Sequence, residues 1–133
     1  MSDRVTGIGG IFFTTDNSKE LQEWYDKHLG LNFGGKGYDS FQWKEQDTGK
    51  QGTTVFSFFK KGTDYLKPST SPFMINFRVK NLDTLIVQLR EEGVTVVGEI
   101  DRQPYGSFAW IMDPDGNKIE LWEPKDEGLS GQE

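Results

Sequence analysis

The sequence contains no cysteine and only one histidine among its 133 residues. The missing cysteines exclude disulfides, thiolate metal sites and a cysteine nucleophile. No apolar run approaches the ~18 residues of a membrane-spanning helix, so we expect no membrane span. The N-terminal "MSDRVTGIGG" has neither the basic start nor the apolar core of a signal peptide, and we therefore expect a cytoplasmic protein.

Positive charge is also scarce, because 15 Lys and Arg stand against 21 Asp and Glu. No stretch of clustered basic residues stands out in the sequence, so we do not expect a nucleic-acid partner. Aromatic residues, in contrast, make up 14% of the chain. This content indicates a well-packed core, an aromatic-lined pocket, or both.

The chain repeats one pattern of strand and helix in its two halves. A β-prone run around residues 8–14 precedes a helix pattern that ends at Gly30, and "PFMINFRV" at 72–79 precedes a second helix pattern that ends at Gly93. Asn17 and Asn81 stand at the expected N-caps of these helices. Equivalent residues lie 64 positions apart in three pairs: Ile11 and Ile75, Phe13 and Phe77, Asn17 and Asn81.

The repeat continues beyond the helices. The motif Tyr-x-Ser-Phe-x-Trp occurs at 38–43 and again at 105–110, and a turn and a strand follow each copy. Such an internal duplication determines the architecture of a domain. We therefore predict an α+β fold of two tandem βαβββ modules, whose curved mixed sheets form a partial barrel.

The predicted modules span most of the chain within one domain. The first covers residues 1–59 and the second covers 72–124, while the aperiodic 60–71 is the linker and 125–133 is a polar tail. Together with the "WYDKHLGL" helix end and the closing "DPDGNKIELWEP", the repeated modules resemble the vicinal oxygen chelate superfamily. That superfamily includes glyoxalase I, bleomycin-resistance proteins and extradiol dioxygenases. The resemblance implies a concave ligand site and a homodimer.

Strand alternation predicts which side chains face the concave side. Within "KIELWE", Ile119 and Leu121 share the face that a helix covers, so Glu120 and Trp122 point into the hollow. We expect Glu120 to act in catalysis, if there is catalysis, and to meet Arg78 or Asn76 across the hollow. The predicted ligand-binding residues are Phe12, Thr14, Ser57, Met74, Asn76, Arg78, Trp110 and Trp122.

Two alternatives stay open for these residues. The aromatic side chains of Phe12, Trp110 and Trp122 contact a ligand, or they fill the cavity or a dimer interface. Arg78 is an anchor for an anionic group, or it is the structural ion-pair partner of Glu120. The aromatic residues Phe13, Trp24, Tyr25 and Phe77 are predicted in the core. His28, near the end of the first helix, is expected to be structural.

The resemblance also implies where a metal would bind. Metal-using relatives take ligands, typically two His and two Glu, from the first, fourth, fifth and eighth strands. The last of these positions falls on Glu120, but the others fall on residues with no suitable donor: Gly9 or Gly10, Ser57, and Met74 or Phe73. We therefore predict no metal site and no cofactor.

These observations favour a metal-independent protein that binds a small apolar or aromatic molecule, similar to the bleomycin-resistance branch. One alternative is a glyoxalase-like lyase or dioxygenase-like enzyme that uses Glu120 with unrecognised ligands. Another is an interaction module without a small ligand.

Overall fold

The computed structural model describes residues 4–46 and 48–125. The elements of the first half are β1 (Val5–Thr15), α1 (Ser18–Leu29), β2 (Tyr38–Lys44) and β3 (Gln51–Lys60). A 3₁₀ helix (Asp64–Leu66) leads to the second half, which contains β4 (Phe73–Val79), α2 (Leu82–Glu91), β5 (Asp101–Gln103), β6 (Gly106–Met112) and β7 (Lys118–Pro124). Most of the predicted tail, 126–133, lies outside the described residues.

The predicted α+β fold is confirmed, and the two modules share one mixed sheet that does not close into a barrel. The strand order is β2-β3-β1-β4-β7-β6-β5. Antiparallel pairing of β1 with β4 joins the halves, while the parallel pairs β1–β3 and β4–β7 lie within them. The duplication therefore produces one continuous sheet across the described residues, rather than two separate ones.

The described first module has one strand fewer than the second. The three-residue β5 precedes β6, but the corresponding chain before β2 is a turn. Gly34 and Gly35 have φ values of +56° and +78° there. This left-handed backbone is incompatible with an extended strand, and glycine adopts it at little steric cost.

The second helix covers one face of its module. Leu82, Leu85, Ile86 and Leu89 are buried against a cluster that includes Leu121. The β4–β7 register pairs Ile75 with Ile119 and Asn76 with Glu120. Since neighbours along a strand alternate between faces, Asn76 and Glu120 lie on the face opposite α2.

An aromatic cluster fills the space under the first helix. Tyr25 and the buried Phe33 pack against Phe56 and Phe58, with ring centroids 5.1–6.3 Å apart. The core prediction is wrong for two other aromatics, since Phe13 and Trp24 are 39% and 50% exposed.

The exposure of Trp24 has a geometric cause. Tyr25 takes the inward position on α1 and turns the neighbouring Trp24 outward, where its ring contacts that of the exposed His28 at 5.1 Å. Phe13 meets the ring of Phe56 edge to face, with the centroids 5.9 Å apart. Phe77 does pack against the core cluster, although it is only partly buried.

The helix ends agree only partly with the sequence. Gly30 and Gly93 follow the helices with φ of +69° and +85°, as the stop signals predict. Asn17 and Asn81 stand at the predicted N-cap positions, but neither makes a side-chain capping bond. For α2 a residue from β7 takes over this role, because Glu123 Oε1 accepts a bond from the Leu82 amide at 2.7 Å.

No helix in the described ranges is long and apolar enough to cross a membrane. The cytoplasmic location stays a prediction.

Candidate functional site

Strand β7 places Glu120 on the inner, concave face of the sheet. Its side chain is 3% exposed. Its Oε1 accepts a hydrogen bond from Asn76 Nδ2 at 2.7 Å, and its Oε2 accepts one from Trp110 Nε1 at 2.9 Å. A buried ionised group needs hydrogen bonds to offset its lost hydration. These donors therefore explain how a carboxylate is tolerated within an apolar strand.

A third donor to Glu120 comes from the segment predicted as a linker. The 3₁₀ helix carries Tyr65, whose hydroxyl donates to Glu120 Oε2. The Tyr65 ring packs on Phe59 and Trp110, with centroids 5.3 Å and 6.1 Å away. Residues 60–71 do connect β3 to β4, but they also supply part of the candidate site.

Lys118 is held beside this network without taking part in it as a direct donor. Its Nζ donates to the Tyr65 carbonyl at 2.6 Å and lies 5.5 Å and 5.6 Å from the ring centroids of Tyr65 and Trp110. Burial lowers the pKa of Lys118, and the negative charge of Glu120 opposes this shift. The carboxylate and ammonium therefore partly compensate each other across the network.

The pKa of Tyr65 changes in the direction that keeps its proton in place. Burial raises the pKa of Tyr65, and the nearby Glu120 carboxylate raises it further. A phenolate next to a carboxylate would bring two negative charges together. Tyr65 is consequently a hydrogen-bond donor to Glu120 throughout the neutral range.

A cavity of about 430 Å³ opens above Glu120 on the concave face. Its volume suits a small organic ligand. We call it the concave cavity, and its described lining residues are Gly9, Phe12, Tyr38, Ser40, Gln42, Thr53, Val55, Asn76, Tyr105, Phe108, Glu120 and Trp122.

Four of the nine residues predicted for the site line this cavity: Phe12, Asn76, Glu120 and Trp122. The remaining five lie elsewhere, namely Thr14, Ser57, Met74, Arg78 and Trp110. Among them Trp110 acts indirectly, since it donates to Glu120. Met74 is fully buried, and Thr14 donates through its hydroxyl to the Pro72 carbonyl at 3.3 Å.

Ser57 lies on the predicted face of the sheet, but it is not part of the described cavity lining. It pairs with Phe12 across β1–β3 and with Tyr38 across β2–β3. Both partners border the cavity, whereas Ser57 is not among the described residues that line it.

Arg78 is part of a separate arrangement. Its guanidinium carbon lies 5.5 Å and 5.3 Å from the ring centroids of Trp43 and Trp122. The structure pairs its charge with Glu45, at 3.7 Å between Nη2 and Oε2. A guanidinium between two indole faces is a favourable cation–π arrangement. The structural interpretation of Arg78 is therefore the better supported one, with Glu45 as its partner.

Several lining residues were not predicted, although the repeat held a signal for two of them. Tyr38 and Tyr105 begin the two copies of Tyr-x-Ser-Phe-x-Trp, and both line the cavity. Strand alternation from Tyr38 also leads to Ser40 and Gln42. Tyr65 had no comparable signal, because its contact with Glu120 spans 55 positions and depends on the path of an aperiodic loop.

A divalent metal ion does not fit the residues of this site. The Glu120 oxygens accept hydrogen bonds from an amide, an indole and a phenol. Within 4–46 and 48–125, no three His, Asp or Glu side chains come together. A catalytic zinc site usually needs three protein ligands. The ligand positions implied by the resemblance therefore hold one carboxylate, already surrounded by donors.

The sequence model of the Glyoxalase/Bleomycin resistance protein/Dioxygenase superfamily matches residues 7–121. No curated protein matches the chain. Methylmalonyl-CoA epimerase from Mycobacterium tuberculosis is a similar solved structure, with a TM-score of 0.61 and 22% identity over 98% of this chain and 95% of its own.

Two other similar structures are more distant in sequence. A variant methylmalonyl-CoA epimerase from Streptomyces coelicolor, in complex with 2-nitronate-propionyl-CoA, has a TM-score of 0.61 and 16% identity over 90% of this chain and 98% of its own. A glyoxalase/bleomycin resistance protein/dioxygenase superfamily member from Vibrio splendidus 12B01 has a TM-score of 0.56 and 10% identity over 87% and 97%. At these identities the structural likeness shows the fold alone. Because the family match spans most of the chain, the protein belongs to the Glyoxalase/Bleomycin resistance protein/Dioxygenase superfamily.

Proposed function

We propose that this protein binds a small organic molecule with a flat aromatic part in the concave cavity, without a metal ion. The observation that carries the proposal is an aromatic-lined cavity with convergent polar groups at its base. Rings on the walls supply apolar contact area, while Asn76 and Glu120 lie where a ligand can be oriented. This combination is typical of small-molecule sites.

The walls of the cavity are suited to a planar group. Phe108 and Trp122 are parallel, with an interplanar angle of 2° and centroids 5.8 Å apart. Tyr105 meets the Phe108 ring at 69° and is itself 39% exposed. Aromatic groups stack with an offset or meet edge to face. A flat ligand can continue both arrangements into the cavity.

A pair of matched variants tests the location of binding. Val55 lines the cavity, whereas Val87 is exposed on α2. Val55→Phe places a ring in the cavity, so we expect it to weaken the binding of a naphthalene-type probe by about tenfold or more. Val87→Phe should leave the affinity unchanged. Isothermal titration calorimetry measures both, and equal affinities in the two variants would refute the proposed location.

An enzymatic function is the second candidate, and the Glu120–Tyr65 contact favours it. A carboxylate in hydrogen-bond contact with a phenol at the base of a cavity can move a proton to or from a ligand. Glyoxalase-like or dioxygenase-like chemistry would need metal ligands that the described residues do not provide. If Glu120→Gln binds a ligand normally but loses turnover, the protein is an enzyme rather than a binder.

We also propose that two copies associate, as the family resemblance implies. The exposed apolar side chains of Phe13, Trp24 and Leu29 support this proposal. Sedimentation equilibrium tests it, and a monomer at high protein concentration would contradict it.

A further inference from the structure

Beyond the shape of its ligand, the concave cavity indicates the sign of the ligand's charge. We infer that the cavity selects an organic cation, in which a protonated amine is attached to a flat aromatic body. This inference rests on the proposed binding function and adds to it the chemical class of the ligand.

The charges on the cavity surface are the first support. Among the described lining residues Glu120 is the sole charged side chain, and none is Lys, Arg or His. Three donors surround its two oxygens, an arrangement that complements the ionised carboxylate. An anionic ligand would therefore meet a like charge and no cationic partner, whereas a cationic ligand would meet a counter-charge.

A second support is the buried amide of Asn76, which is 2% exposed. Its nitrogen donates to Glu120, while its Oδ1 has no hydrogen-bond partner. That oxygen lies beside Gly9, close enough that a Cβ added there would be 2.2 Å from it. A buried acceptor without a donor has lost its hydration and gained no hydrogen bond in exchange. The base of the cavity thus combines the negative charge of Glu120 with an amide oxygen that still lacks a donor, and an ammonium group complements both.

The aromatic walls provide the third support. Tyr38, Tyr105, Phe108 and Trp122 line the cavity. Ring faces attract cations, and this attraction increases when the cation loses water. The ring of Tyr38 already accepts such a contact, because Lys36 Nζ lies 5.2 Å from its centroid. A neutral apolar ligand would gain the stacking but not this electrostatic contribution.

Two lysines lie near the cavity and reduce its negative potential. Lys36 is at the exposed edge beside Tyr38, and Lys118 is behind Tyr65. Neither belongs to the cavity lining, and Lys118 points its Nζ at a backbone carbonyl. Asp101 acts in the opposite direction, since its charge also contributes to the raised pKa of Tyr65. The cavity surface itself stays acidic.

The test uses three probes that share one ring system: naphthylmethylammonium, naphthylmethanol and naphthoate. Calorimetric titration at pH 7 and low salt should show the ammonium binding about tenfold tighter than the alcohol, with naphthoate the weakest. In Glu120→Gln the advantage of the ammonium over the alcohol should fall below about threefold, because the counter-charge is removed. Glu91→Gln, an exposed change at the end of α2, should keep the full advantage.

A thermal melt shows whether Glu120→Gln folds. If it does not, a second variant provides the test. Tyr38→Leu removes a ring at the cavity edge and leaves the Glu120 network intact, so it should weaken the ammonium more than the alcohol. Equal affinities of the ammonium and the alcohol in the unmodified protein would overturn the inference but leave the binding function standing. Tighter binding of naphthoate would do the same. If none of the three probes binds, both the inference and the proposed function are refuted.

Discussion

Replacing Tyr65 with Phe isolates the phenol–carboxylate contact at the candidate site. The substitution keeps the ring, and with it the packing on Phe59 and Trp110. It removes the hydroxyl that donates to Glu120. A hydrogen bond to a charged group contributes about 1.5–3 kcal/mol. Because Tyr65 is 40% exposed, water can replace part of the lost hydrogen bond. We therefore expect the free energy of unfolding to fall by about 1 kcal/mol at pH 7.

The same substitution changes the dependence of stability on alkaline pH. The folded protein retains the Tyr65 proton above pH 10.0, where the unfolded chain releases it. The unfolded state then binds fewer protons, so the free energy of unfolding of the parent protein falls as pH rises. Tyr65→Phe lacks this contribution. Its deficit relative to the parent should therefore shrink as the pH rises above 10.0.

Urea denaturation at pH 7 and at several alkaline pH values measures both effects. Lys118, whose lowered pKa makes stability rise with pH, is present in both proteins, and its contribution largely cancels in the difference. Tyr105→Phe is the matched control, since Tyr105 also lines the cavity and packs on Phe108 through its ring. A Tyr65→Phe protein as stable as the parent at pH 7, with the same alkaline slope, would refute the Tyr65–Glu120 contact.

Three further substitutions test other parts of the structure. Asn76→Asp should lower stability by about 3 kcal/mol at pH 8 in urea denaturation, because it places a second carboxylate beside Glu120. The loss should diminish as the pH falls, because protonation of the introduced carboxyl removes the like charge; a pH-independent loss would contradict the like-charge reason. Gly9→Ala should cost about 1–3 kcal/mol, because its Cβ would meet Asn76 Oδ1 at 2.2 Å, and unchanged denaturation would place that oxygen elsewhere. Leu85→Ala should cost about 2–5 kcal/mol, whereas Val87→Ala, at an exposed site on the same helix, should change stability by no more than about 0.5 kcal/mol; equal thermal shifts would contradict the burial of α2.

The fold was predictable because it depends on periodic signals that occur twice. The duplicated strand and helix patterns predicted two modules, and alternation along β7 placed Glu120 on the face opposite α2. Gly30 and Gly93 ended the helices as expected. The predictions failed where neighbouring elements decide the outcome. Trp24 has the spacing of a core residue, but Tyr25 occupies the inward position instead.

The candidate site was predictable only where it lies on paired strands. Asn76 and Glu120 are directly opposite each other in the β4–β7 register. The alternation of side chains along each strand was therefore enough to predict that they share one face and lie close together. Tyr65 reaches the same carboxylate from a connection with no period. Arg78 shares the parity of Asn76, yet its charge pairs with Glu45. Parity predicts the face of a sheet, whereas the contacts of a long side chain depend on sheet twist and on loops.

The most direct test of the account is whether ligand binding in the concave cavity depends on a divalent metal ion. Naphthylmethylammonium would be titrated into protein that has been dialysed against a chelator, and then into the same protein after addition of zinc, nickel or manganese. We expect the same affinity throughout, because within the described residues no three His, Asp or Glu side chains come together to hold a divalent ion. Binding that disappears with the chelator and returns with one of these ions would contradict it.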